Sequence, residues 1–364
     1  MNEKLSTFHI ALLIYMIELD VTMFSMPRLV AENIGTNGWL GVILLSFAAA
    51  VNIMLIQLVY RIGKGRSVFE IARHTLPRFV LYPVYILLAL FWTALGSFIC
   101  KKYVLIFQML SFPTTNPMLL YGVIVLLMFY LLTKGIYNIG KVSTIFFLFT
   151  IGLIFFIFYY IPSWRVVRFT EYFFQGTSGG HGWVGWIEVY TIFVGFELAL
   201  LLFPFTNKKS GLIKGIYAGH FIHLFTVLLL IFTCFGFFSF EQLKILMYPV
   251  INLLSFIELP FINRVENLIY TIFLFANLIS LVMFTWAALM SLKQIFPAAK
   301  AGILELALAV LSFGFGCIPR IARESERLLI LAYYAEIALS FTAPLALLLL
   351  LAWQSLFRRK GSMP

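Results

Sequence analysis

Three carboxylates are conspicuous for where they stand. Glu18, Asp20 and Glu197 each fall inside an apolar run long enough to cross a bilayer. At 1.5 Å of rise per helical residue, each lies near the middle of its run. A carboxylate there costs at least about 2.5–3.5 kcal/mol on insertion scales, so such residues pair, face a cavity or bind ions. The chemistry open to them is binding an amine or other cation, carrying a proton, or hydrogen bonding between helices as structural glue. An ionisable group inside a membrane is functional by default.

Their spacing adds to this. Asp20 precedes Pro27 by seven residues and Glu197 precedes Pro204 by the same interval. The two segments are five spans apart. Many transporters consist of two five-helix halves of inverted topology whose first helices are broken at a midplane binding site. Proline removes a helical N–H and glycine permits unwound backbone, so breaks are expected at Pro27 and at Gly195–Pro204. Backbone groups freed there can be satisfied by a substrate or ion. Thr22, Phe24 and Ser25 follow the break in span 1. Gly195, Phe196 and Glu197 form that in span 6, with Tyr190 within two turns. Thr93 and Ser97, four apart in span 3, would share a face, as would Asn277 and Ser280 in span 8. These are the candidate ligand-binding residues. Small polar residues also pack helix against helix, so interhelical hydrogen bonds are the competing reading for Thr93, Ser97, Asn277 and Ser280.

The elements that must position them follow from composition. The 364 residues are 62% hydrophobic, 18% aromatic and only 11% charged, with a mean hydropathy of +1.00. That excludes a water-soluble globular enzyme and a disordered chain. The apolar runs are continuous rather than alternating, which excludes a transmembrane barrel. At about 20 residues per helix, ten spans are expected: 9–31, 39–60, 79–100, 117–133, 142–162, 183–205, 212–238, 267–292, 302–318 and 329–355. No connecting segment is long enough for a soluble domain. One membrane domain is expected, with half-repeats over 9–162 and 183–355. The first apolar run leads into Glu18 and Asp20 without a small-residue cleavage site, so no cleavable signal is expected.

The formal net charge is +11, and in a membrane protein such an excess anchors cytoplasmic loops. With a cytoplasmic N-terminus, 16 of the 26 basic residues fall inside, Arg61, Lys64, Arg66, Lys208 and Lys209 among them, against only Glu3 and Glu70. Both termini are therefore expected in the cytoplasm. Other features promise less. His220 and His223 have a two-ligand spacing but no neighbouring acid or cysteine, and read as an interfacial pair rather than a metal site. Lys101 and Lys102 suit snorkelling at the outer surface. Glu188, Glu305 and Glu336 lie nearer span ends, and Glu336 is the one best placed for a buried partner. Cys100, Cys234 and Cys317 form neither a disulfide framework nor a metal cluster. There is no Walker loop, nucleophile elbow or HExxH pattern, so neither enzyme chemistry nor a cofactor is expected.

The segments Met26–Arg28 with Ala31, Glu32, Gly38 and Trp39, then Gly195–Glu197 with Phe203, Pro204, Lys208 and Lys209, resemble the membrane-embedded B subunit of spore nutrient-germinant receptors. That family belongs to the amino acid/polyamine/organocation permease superfamily. Tyr248–Ile251 with Phe256–Leu259 and Phe261–Glu266 is similar to the family's segment before span 8. The resemblance implies an all-α, LeuT-like fold of ten helices with a small-molecule pocket between spans 1, 3, 6 and 8. It also implies nutrient sensing, such as of amino acids, in the spore inner membrane, beside an A subunit and a lipoprotein C subunit, with no nucleic-acid partner. A secondary transporter of amino acids or amines, proton-coupled or not, would need the same pocket. Two departures stand out. Asp20-Val21-Thr22 occupies the place of a Gly-x-Gly-like break, and Asn263 that of an acid. A pocket holding Glu18 and Asp20 suits an amine or cation better than a bare carboxylate.

Overall fold

The computed structural model describes residues 4–152, 157–178, 182–206, 211–257, 265–300 and 302–360. The Lys208–Lys209 pair and residues 258–264, Asn263 included, lie outside them. Among the described residues the chain is helical throughout, and one isolated bridge, Leu5 to Thr206, is its sole β pairing.

The first half begins with α1 (Thr7–Glu18) and α2 (Met26–Asn33), joined by a tight turn through Val21–Phe24. It continues with α3 (Trp39–Ile62), the short α4 (Val68–Arg73), α5 (Arg78–Ser111), α6 (Pro117–Thr133) and α7 (Gly135–Ile151). The second half repeats that order. It opens on α8 (Gly182–Tyr190), followed by 3-10 segments to Phe205. Then come α9 (Leu212–Phe237), the short α10 (Phe240–Ile245) and α11 (Pro249–Leu254), α12 (Val265–Ile295), α13 (Ile303–Cys317) and α14 (Ala322–Lys360). Six helical stretches are long and apolar enough to span a bilayer, and four shorter apolar helices bring the described spans to the expected ten. Five spans per half necessarily insert the halves with opposite orientation.

Several boundaries differ from expectation: span 10, expected over 329–355, runs from Ala322 to Lys360. Span 5 starts at Gly135, not near 142, because Gly135 with φ of 77° already turns the chain out of α6. Span 3 runs 34 residues, from Arg78 to Ser111, rather than ending near 100. Lys101 and Lys102 therefore sit inside α5 and are buried, not snorkelling. Lys101 Nζ meets Met118 Sδ and the Tyr121 ring, and Lys102 reaches Glu326.

Packing follows helix periodicity. On α3 the face with Ser46, Ala49, Asn52, Ile53 and Ile56 is buried, while Leu44, Phe47, Val51, Met54 and Leu58 stay exposed at three- and four-residue intervals. In a membrane that second stripe meets lipid at no cost. Where helices approach closely, small residues allow it. On α9, a Cβ at Gly215 would meet Thr7 O at 2.8 Å, and one at Gly219 would meet Ala11 O at 2.4 Å. The paired glycines thus seat α1 against α9, with every residue from Ile10 to Glu18 buried. Gly96 does the same for α5 against Phe284 and Leu281 of α12.

Candidate functional site

Spans 1 and 6 are interrupted where they touch. In span 1 the helix stops at Glu18. Asp20 is extended (φ −117°, ψ −177°) and its carboxylate accepts the Thr22 N–H at 2.7 Å, capping the turn that follows. Ending α1 leaves open carbonyls, and Ser280 of α12 donates to one of them, Ile17 O, at 3.1 Å. In span 6 the break falls at extended Val194 and at Gly195, whose φ is 127°. A Cβ on Gly195 would lie 2.5 Å from Ile17 Cγ2, so glycine is required both by the backbone and by the contact with span 1. His223 Nε2 donates to Ile192 O at 2.9 Å in the same unwound region.

The prolines do not make these interruptions. Pro27 occupies the start of α2, where a missing N–H costs nothing. Pro204 lies near the end of the 3-10 stretch Phe196–Phe205, nine residues beyond Gly195. An Asx cap in one span and a left-handed glycine in the other do the work assigned to proline.

Three buried acidic clusters surround the breaks. In the first, Glu18 Oε1 meets His220 Nδ1 at 3.1 Å, and His220 Nε2 meets Ser46 Oγ at 3.0 Å. All three residues are essentially solvent-free, and Glu18 Oε2 has no partner among the described residues. The interfacial placing of His220 and His223 is thus overturned. The Gly215–Gly219 seat brings α9 so close to α1 that both imidazoles are fully enclosed. Among the described residues no group of three or more His, Cys, Asp or Glu could hold a metal.

In the second cluster the Tyr333 hydroxyl of α14 donates to Asp20 Oδ2 and lies 3.2 Å from Thr22 Oγ1. Ser25 Oγ donates to Thr22 O at 3.1 Å. Toward the α2 end, Glu326 of α14 pairs with Lys102 at 3.4 Å and with Arg28 at 3.7 Å, and Arg28 also faces Glu32 at 3.6 Å. Between these layers, beside Thr22, Lys102, Glu326 and Tyr333, only about 20 Å³ stays open. That admits a water but no small molecule, whose sites run to about 300–1,000 Å³. The chamber beside Asp20 is shut.

The third cluster lies on the opposite side of the span 6 break. Glu197 Oε2 accepts the Gly195 N–H at 2.9 Å, and Glu336 lines the same cavity as Glu197. Trp92 Nε1 is shared between both Glu336 oxygens at 3.2 Å. The buried partner expected for Glu336 is there. Tyr190 is buried against Phe193 and Phe341, its hydroxyl without a partner among the described residues, while Asn52 Nδ2 donates to Ser340 Oγ at 3.1 Å.

Of the other sequence candidates, Phe24 packs on Phe273 and Tyr270 with ring centroids 4.7 and 5.3 Å away. Phe196 meets the His220 ring edge-on. Thr93 and Ser97 bond carbonyls of their own helix, and Ser97 meets Ser312 Oγ of α13 at 2.9 Å, so they pack α5 on α13. Asn277 donates to Phe273 O, leaving its Oδ1 without a partner. Ser280 is placed at the break rather than in an open pocket. Tyr333, Trp92, His220, Ser46, Lys102 and Glu326 complete the three clusters without having been singled out as ligand-binding. One signal was available: Tyr333 and Glu336 are three apart on α14, which puts them on one face.

The family model described as spore germination protein matches residues 4–320. The spore germination protein GerQB of Bacillus cereus is 23% identical over 320 residues, covering 85% of this chain and 86% of its own. Spore germination protein B2 of Bacillus subtilis (strain 168) is 22% identical over 280 residues, covering 73% and 72%. Among solved structures, a Na+-coupled sialic acid symporter in a substrate-bound outward-open state aligns with a TM-score of 0.46 and 13% identity, covering 96% of this chain and 75% of that one. The chain, an integral membrane protein with two broken helices meeting at a cluster of buried acids, belongs to the spore germination protein family.

Proposed function

We propose that this chain is the membrane-embedded sensing subunit of a spore germinant receptor. It binds an amino acid or related small nutrient between spans 1, 3, 6 and 8, beside an A subunit and a lipoprotein C subunit. The observation that carries the reading is the meeting of the two breaks at Ile17 and Gly195, with Asp20 and the freed backbone directly alongside. Asp20 and Thr22 are the groups for the ligand's ammonium and hydroxyl-bonding atoms. Tyr333 holds their place in the shut state. Because a ligand shifts a conformational balance only through differential affinity, nutrient must displace Tyr333 from Asp20 and separate α14 from α2. Partner subunits then read the position of α14. In spores lacking the native gene, Asp20→Asn is expected to remove the response to nutrient while membrane levels stay normal. An unchanged response would sink the Asp20 site.

A second reading, a proton-coupled transporter of amino acids or amines, is favoured by the buried Glu18–His220 pair, which holds an ionisable couple away from solvent. Uptake of a labelled amino acid into proteoliposomes, lost in Glu18→Gln, would favour it. Absence of uptake beside an intact germination response would remove it.

A further inference from the structure

A separate cavity of about 320 Å³ opens beside the Glu197–Glu336 pair, bounded by α4, α5, the 3-10 stretch of span 6 and α14. It reaches the lower bound for a small-molecule site, about 300 Å³. Its wall is almost wholly apolar, with Leu88, Leu200, Leu339 and Ala343 among the residues that line it. Two residues that line it, Glu197 and Tyr85, each hold a buried polar atom that lacks a partner among the described residues. These are Glu197 Oε1 and the Tyr85 hydroxyl, on residues 5% and 4% exposed.

The charge there does not balance. Glu197 and Glu336 bring two carboxyl groups to one buried site, and two carboxyls that keep one proton between them hold a single negative charge. Trp92 and the Gly195 N–H donate to it but carry no charge. No Lys, Arg or His lines the cavity. Arg73 lines an adjoining surface pocket instead. A charge in an apolar enclosure requires a partner.

We propose that this cavity is a binding site for a compact organic amine, whose ammonium group sits between Glu197 and Glu336 and whose hydrocarbon body fills the apolar part. An ammonium supplies three donors and one positive charge, which satisfies Glu197 Oε1 and neutralises the pair. With no cation on the wall, a free carboxylate has no counterpart, so zwitterionic amino acids and organic acids are excluded. The site is distinct from the Asp20 chamber and does not depend on where the nutrient binds. Glu336 lies one turn from Tyr333 on α14, so the two sites touch the same helix.

The test is thermal unfolding of the full chain in lipid nanodiscs with n-pentylamine, n-pentanol or pentanoate. A ligand bound only by the folded state raises the midpoint with concentration. The amine is expected to raise it, and pentanol and pentanoate to leave it unmoved. Glu336→Gln should weaken the amine effect at least tenfold. Ala343→Phe, which fills the cavity while keeping both carboxyls, should abolish it and serves where Glu336→Gln fails to fold. Equal stabilisation by pentanol, stabilisation surviving either variant, or no stabilisation by the amine would overturn the proposal. A missing amine effect beside an intact, Asp20-dependent germination response would remove this site and leave the sensing role standing.

Discussion

Gly195 and the acids around it were visible in the sequence for a physical reason: charge and positive-φ backbone are both costly inside a bilayer. Glu18, Asp20 and Glu197 could be picked out one by one. The partners of Glu18 and Asp20 could not, because His220 and Tyr333 lie in apolar helices where an aromatic ring reads as ordinary core. Gly195→Ala forces a side chain into a φ of 127° and toward Ile17. The backbone strain alone is of order 1–3 kcal/mol. The variant is expected to lower the unfolding midpoint in nanodiscs, and a wild-type midpoint would contradict the packing of spans 1 and 6. Glu18 and His220 should couple by about 0.5–3 kcal/mol in a double-mutant cycle of Glu18→Gln and His220→Gln, as groups in one network do. Additive losses would mean the pair does not interact.

Span positions were legible from hydropathy and length, because a bilayer demands about 20 apolar residues per helix. Where the helices break was only half legible. The matched acid–proline spacing pointed to the right pair of spans, but Pro27 starts α2 and Pro204 sits near the end of a 3-10 stretch. The interruptions are made by the Asp20 cap and by Gly195, local devices that hydropathy does not register. The ten-residue 3-10 path through Phe196–Phe205 was likewise hidden, since its residues have an ordinary apolar helical pattern and tertiary contacts override it. The seat of α1 on α9 depends on Gly219. Gly219→Leu would push α1 away and separate Glu18 from His220, so a loss of folded protein on size-exclusion chromatography is expected. A normal monodisperse peak would contradict that seat.

Two halves of five spans make a molecule whose described N-terminal and C-terminal segments lie at one end, where Leu5 pairs beside Phe205 and Gln354 bonds Ile71 and Thr75. The bias of basic residues predicts a cytoplasmic position for that end. Single cysteines at Arg66 and Tyr172 should then label from opposite faces of intact membranes, and labelling from the same face would overturn the topology. The proposed nutrient response runs through Asp20. Losing a hydrogen bond to a charged group costs about 1.5–3 kcal/mol, or roughly 10–100-fold in affinity. The most direct measurement is therefore the nutrient dose–response of germination in spores carrying Asp20→Asn, with the membrane level of the chain followed alongside. The account predicts a shift of at least tenfold to higher nutrient, or no response, at unchanged membrane level. A dose–response superimposable on that of the unaltered chain would contradict it.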